Sequence, residues 1–155
     1  MLQNPRNSVV ILMADDDEDD RLMTRNALEK AKLVNPLRFV EDGEELFEYL
    51  ERRGRYAPPA DAPRPGIILL DLNMPRMDGR EVLERIKHIR ELRSIPITVL
   101  TTSKAHEDIF RSYDLGVSSF IIKPVDFSSL VEVMRNFGRY WFEIVELPGA
   151  VSRDP

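Results

Sequence analysis

The sequence predicts an α/β fold: a doubly wound, five-stranded parallel sheet in a single domain. Three observations carry this expectation. Short apolar runs alternate with longer segments whose apolar residues recur at three- and four-residue steps, the order that crossover connections between parallel strands require. The strand runs lack polar alternation, which implies a sheet covered on both faces. The chain of 155 residues, 43% hydrophobic and 32% charged, is long enough for one domain with a real core.

The first strand is read over "VVILM" (Val9 to Met13). A helix over "EDDRLMTRNALEKAK" follows, with Met23, Ala27, Leu28 and Ala31 at helical spacing. "LRFV" (Leu37 to Val40) is a weak second strand, and "GEELFEYLERR" is a helix with Leu46, Phe47 and Leu50 on one face. "GIILL" (Gly66 to Leu70) is the third strand, followed by the helix "GREVLERIKHIREL" with Val82, Leu83, Ile86 and Ile89 inward. "ITVL" (Ile97 to Leu100), a helix around Ile109, Phe110 and Tyr113, "SFII" (Ser119 to Ile122) and a long last helix complete the order. The stretch "RRGRYAPPADAPRPG" (Arg52 to Gly66) holds four of the eleven prolines and almost no large apolar residue, so it reads as an exposed, partly extended loop. The expected domain spans residues 7–147, with a flexible tail over 148–155.

Composition removes several functions. The net charge of -5 argues against general affinity for nucleic acid or for anionic membrane, both of which favour basic patches. There is no cysteine, hence no disulfide, thiolate chemistry or Cys-based metal site. The start "MLQNPRN" lacks an apolar core of signal-peptide length and no run approaches a membrane span, so the expected location is the cytoplasm.

In open parallel α/β sheets, ligands sit at the carboxyl ends of the strands. The first strand ends at Asp15 and Asp16, within the six consecutive acids of "ADDDEDD". The third ends at Asp71, followed by "LNMPRMDG"; the fourth at Thr101 and Thr102; the fifth at Lys123, followed by Pro124. One rim would thus gather three carboxylates, a hydroxyl and an ammonium. Three close carboxylates need a compensating cation, and an all-oxygen set suits a hard divalent ion, most naturally Mg²⁺. A carboxylate beside such an ion can act as a nucleophile toward phosphorus, with the metal, Lys123 and Thr101 neutralising the equatorial oxygens. Taken singly, each residue is ordinary: a lone Asp at a strand end is usually a turn residue or helix cap. It is their joint placement that carries the reading.

Asp17 to Asp20 fall at the cap and first turn of helix 1, where free N–H groups favour anions, and Glu18, Asp19 and Asp20 are read as a solvated helix start. A calcium loop is not supported, since the D-x-D-x-D-G pattern is missing. His88 and His106 read as surface residues. The last helix carries Leu130, Met134, Phe137, Trp141 and Ile144 at helical steps. Its end, with Tyr140, Trp141, Phe142, Ile144 and Val145, is expected to run beyond the sheet and to offer an interface.

With these residues in view, the sequence resembles the receiver domain of bacterial two-component response regulators (CheY-like). The match runs from about Val9 to Phe142 through "ILMADDD", "VEDGEEL", "IILLDLNMPRMDGREVL", "IPITVLTTS" and "GVSSFIIKP". The resemblance implies the flavodoxin-like strand order 2-1-3-4-5. It makes Asp71 the phosphoacceptor. Asp16 and Asp71 become carboxylate ligands of Mg²⁺, Asn73 a backbone-carbonyl ligand, and Asp15 a ligand acting mostly through water. Thr101 and Lys123 would contact the phosphoryl group, and the Lys123–Pro124 bond is expected to be cis. Phe120 lies where receivers keep an aromatic that swings inward when the threonine moves. Many members have tyrosine there, so a hydroxyl contact is missing. The long loop and Thr102, where a small residue is frequent, are departures; Thr102 would narrow access to the phosphate.

The absence of a following output domain implies a stand-alone receiver that signals by protein contact and is not itself an enzyme. Its wording is most similar to regulators paired with bacterial phytochrome histidine kinases. The expected partners are a sensor histidine kinase and a second copy of the chain, in a homodimer through helix 4, strand 5 and the last helix. Two rival functions stay open. A metal-dependent aspartyl-phosphate phosphatase would need a second acid two residues after the nucleophile, where this chain has Asn73. A phosphorylation-independent adaptor would usually have lost an acid or the lysine, and both are present here.

Overall fold

The computed structural model describes residues 8–148 apart from 103–104. The elements are β1 (Ile11–Ala14), α1 (Glu18–Lys30), β2 (Leu37–Val40), α2 (Gly43–Glu51), β3 (Ile67–Leu70), α3 (Gly79–Lys87), β4 (Ile97–Thr101), α4 (His106–Asp114), β5 (Ser119–Ile122) and α5 (Phe127–Arg139). A 3₁₀ turn lies at Gly54–Tyr56 and a π-helical turn at Tyr140–Ile144. The five strands form one parallel sheet in the order β2-β1-β3-β4-β5, as the resemblance implied. No described helix is long and apolar enough to cross a membrane. The tail expected from residue 148 lies, beyond Pro148 itself, outside the described residues.

β1 and β3 are wholly buried because alternate residues serve opposite faces of the sheet. Leu12, Ala14, Ile68 and Leu70 pack with Leu46 and Phe47 of α2 and Val82, Leu83 and Ile86 of α3. Ile11, Met13, Ile67 and Leu69 face Phe137, Trp141 and Phe142, while Ala27 and Leu28 of α1 meet Leu130, Val131 and Met134 of α5. α3 ends at Lys87, and the residues up to Ser94 continue as turns rather than as the longer helix that the spacing predicts.

Two expectations change here. The end of the last helix is not a free apolar stripe. Trp141 and Phe142 are buried, and Val145 packs against their cluster. The reason is local. The Val145 N–H donates to the Tyr140 carbonyl (3.0 Å), closing an i→i+5 turn that changes the facing of the residues beyond Arg139. Phe137 and Phe142, five apart, then meet edge to face at 6.1 Å. Only Tyr140 and Ile144 of that stretch remain as exposed large apolar residues, at 50% and 63%.

The Pro-rich loop is also held down rather than simply extended in solvent. Tyr49 Oη donates to the Pro63 carbonyl, Tyr56 Oη to Glu45, and Arg52 to the carbonyls of Tyr56 and Ala60. Ala62 is buried.

The β3–α3 loop, which carries the residues after Asp71, is clamped at both ends. A Cβ on Gly79 would come within 2.5 Å of the Asp71 carbonyl oxygen, so only glycine lets α3 start this close to the strand tip. Asp42 caps α2 and accepts from the Arg76 guanidinium, whose residue sits in the left-handed region at φ 62. Burial opposes the Asp42 charge, but the Glu45 amide and Arg76 outweigh it and hold the carboxyl below the ordinary carboxylate range. A depressed folded-state pKa gives stability that is complete above about pH 4 and lost as pH falls through the folded-state value. Asparagine keeps the cap and removes the charge. The stability gap between wild type and Asp42→Asn is therefore expected to narrow below about pH 4 in urea unfolding. A gap independent of pH would contradict this role.

Candidate functional site

The carboxyl ends of β1, β3, β4 and β5 meet at one rim. Backbone bonds set the strand tips: the Asp15 N–H donates to Val40 and the Asp71 N–H to Ala14 (both 3.0 Å), and the Lys123 N–H to Thr101 (2.7 Å). Asp15, Asp16 and Asp71 can each bring one carboxylate oxygen within 4.8 Å of the others'. Asp15 is fully buried, Asp71 nearly so, and Asp16 exposed. The sequence-predicted Thr101 donates its hydroxyl to Asp71 Oδ1 at 2.8 Å. Asn73 gives its backbone N–H to the same oxygen at 3.1 Å, and its side-chain amide makes a long 3.5 Å contact with Thr101 Oγ1. Lys123 Nζ lies 3.0 Å from Asp15 Oδ2 and 3.9 Å from Asp71 Oδ2. The structure therefore brings together Asp15, Asp16, Asp71, Asn73, Thr101 and Lys123.

Electrostatics at the rim are unbalanced. Burial pushes the Asp15 carboxyl above its ordinary value, although the Asp17 amide and Lys123 oppose the shift. Burial works against the Lys123 charge too, but Asp15 and Asp71 outweigh it and hold the ammonium above its ordinary value. One ammonium among three clustered carboxylates leaves residual negative charge in an all-oxygen setting, which fits a hard divalent cation.

Sequence reasoning missed one member. Asp20, assigned to a solvated helix start, places Oδ2 3.0 Å from Lys123 Nζ. The available signal was its spacing: Asp20 lies one helical turn after the strand-tip Asp16, so its side chain can lean back over the rim. Asp17 caps α1 as expected, accepting from the amides of Asp19 and Asp20. Phe120 is partly buried against the core cluster on the face of the sheet that α2 and α3 cover, Thr102 is exposed, and His88 is exposed. The side chain of His106 lies outside the described residues. The expected cis bond at Lys123–Pro124 is not found; among the described residues the cis peptide bond is Pro58–Pro59. An X-Pro pair differs from its alternative isomer by only about 0.5–1 kcal/mol, so residue identity alone does not choose.

A βα sheet of this order with an acid pair, a third acid, a threonine and a lysine at successive strand tips defines a receiver. The family model for the response regulator receiver domain matches residues 11–135, and the chain belongs to that family. Among its relatives, response regulator Rcp1 of Synechocystis sp. is 36% identical over 141 residues, covering 91% of this chain and 94% of Rcp1. The crystal structure of the Mn²⁺-bound form of Rcp1 matches with TM-score 0.81 over 90% of this chain and 99% of that chain, at 36% identity. The structure of the phosphorylated cyanobacterial phytochrome response regulator RcpA matches with TM-score 0.83 and 38% identity, over 91% of this chain and 99% of that chain.

Proposed function

We infer that this chain is a phosphorylation-driven switch in which the Asp71 carboxylate accepts a phosphoryl group from a partner histidine kinase. The observation that carries the reading is the convergence of Thr101 Oγ1 (2.8 Å) and Lys123 Nζ (3.9 Å) on Asp71 beside Asp15 and Asp16. In the transfer, a carboxylate oxygen of Asp71 bonds to phosphorus while the bond from phosphorus to the donor imidazole nitrogen breaks, its electron pair staying on that nitrogen. Thr101 and Lys123 then turn their donors toward the phosphoryl oxygens. Asp15, Asp16, Asp71 and the Asn73 carbonyl would hold Mg²⁺, which supplies neutralisation of the carboxylates and of the incoming phosphate charge. The phytochrome named for RcpA supports a phytochrome-type light sensor as the kinase. Acetyl phosphate with Mg²⁺ is expected to add one phosphate by intact mass, and chelation by EDTA to prevent it. Labelling that persists in EDTA would contradict the metal's part. Asp16→Ala is expected to weaken Mg²⁺ binding by about ten-fold or more, and Asp19→Ala far less, by calorimetric titration. Equal losses would misplace the site.

A second contact follows from the surface. Phe110 and Tyr113 of α4, Ile122 of β5, and Tyr140 and Ile144 after α5 are exposed at 41–71%. Exposed aromatics on adjoining elements are usual interface anchors, and a two-fold contact is the commonest closed assembly. This supports a homodimer through α4, β5 and the end of the last helix, coupled to Thr101 and Phe120 on the neighbouring strands. Light scattering is expected to give a dimer of the phosphorylated wild type and a monomer of a Tyr140→Glu, Ile144→Lys variant. A wild type that stays monomeric with and without phosphate, or a variant that dimerises equally, would overturn this interface.

A further inference from the structure

We propose that Asp20 is a positioning residue that holds the Lys123 ammonium back from Asp71, so that Lys123 must be released from it when the phosphoryl group arrives. This rests on the reading of Asp71 as phosphoacceptor. A lysine ammonium has three donors. Two of them are within hydrogen-bond distance of Asp15 Oδ2 and Asp20 Oδ2, both at 3.0 Å, whereas Asp71 Oδ2 is at 3.9 Å, beyond a direct bond. The ammonium that must meet the phosphoryl group is thus shared with a carboxylate that takes no part in the transfer.

The local structure explains why Asp20 is available. It occupies the third position of α1, where an acid commonly folds back onto the cap residue's own N–H. Here that N–H, on Asp17, already donates to Asp15 Oδ1 at 2.9 Å. The Asp20 side chain instead reaches toward β5 and the lysine 103 positions later. Asp15 is fully buried and its bond to Lys123 is therefore shielded, while the Asp20 side chain is 30% exposed, so its partnership is the one that solvent weakens. Asp20 is accordingly the contact that gives way. Its loss frees a donor for the oxygens on Asp71 and removes one negative charge beside them.

The test uses the whole 155-residue chain, saturating Mg²⁺ and beryllofluoride as the phosphoryl probe, with affinity read by calorimetry. Asp20→Asn is expected to bind beryllofluoride about five-fold or more tightly than wild type. Asp19→Asn, which removes the same charge from an exposed neighbour on the same turn, is expected to change affinity by less than about two-fold. A gain in affinity is not something that simple damage to the fold would produce. If wild type takes up no beryllofluoride, the phosphoacceptor reading and this proposal fall together. If wild type binds but Asp20→Asn binds no more tightly, or Asp19→Asn tightens equally, this proposal alone is overturned.

Discussion

Asp71→Asn protein is expected to take up no phosphate from acetyl phosphate or from a histidine kinase, while remaining folded. The amide is nearly the same shape as the carboxylate, and its oxygen can still accept from the Thr101 hydroxyl and the Asn73 N–H that now bond to Oδ1. What is lost is the nucleophilic oxygen and one negative charge. That charge pushes the buried Asp15 carboxyl upward but also attracts the Lys123 ammonium, so its removal relieves one repulsion and gives up one attraction. Stability should therefore stay within about 1 kcal/mol of wild type. Intact-mass measurement and a thermal melt on the same sample check both halves. Phosphate on the variant at the wild-type level would show that another group is the acceptor.

The second large effect concerns stability. Phe142→Ala is expected to cost about 3–5 kcal/mol, which for a chain of this length lowers Tm by roughly 10 °C. Phe142 is 3% exposed and sits with Phe137, Trp141, Leu147 and the sheet residues Ile11, Met13, Ile67 and Leu69, so truncation leaves a cavity under the sheet. Tyr140→Ala and Ile144→Ala, on exposed positions of the same turn, are expected to stay within about 0.5 kcal/mol in dilute protein. Urea unfolding followed by far-UV circular dichroism separates the two groups. Equal costs for Phe142 and Ile144 would contradict the placement of the π-helical turn.

These variants also mark where sequence reading ends. The strands were legible because they are short unbroken apolar runs with β-branched residues, and the site was legible because its residues stand just after those runs. The strand order was not readable from spacing and came from the resemblance. The burial of Phe142 was hidden because helical counting holds only while each turn closes at i→i+4, and the Val145-to-Tyr140 bond breaks that count. Trp141 keeps helical spacing from Phe137 and was misplaced because the helix end was expected to outrun the sheet. Asp20 was hidden for a different reason. Whether a first-turn acid faces water depends on what lies opposite, and here that is a lysine from the far end of the chain. The Pro-rich loop looked free because its ties run from Tyr49 and Arg52 to backbone carbonyls and from Tyr56 to the Glu45 carboxylate, which composition does not reveal.

Between α3 and α4, Arg80 forms a two-point ion pair with Asp108 (2.7 and 2.6 Å) and reaches the Leu72 carbonyl at 3.3 Å. It thereby joins the loop after Asp71 to the helix of the proposed dimer face. Within the proposed switch, this contact would give a change at the strand tips a contiguous route to the surface.

A phosphoryl group accepted by Asp71 would reside on its carboxylate as an acyl phosphate. The most direct measurement is borohydride reduction of the phosphorylated wild type followed by peptide mass mapping, since reduction converts a phosphorylated aspartate to homoserine and leaves free carboxylates unchanged. Homoserine at position 71 and at no other aspartate is the predicted result. Homoserine at Asp15 or Asp16, or phosphate retained elsewhere with Asp71 unreduced, would contradict it.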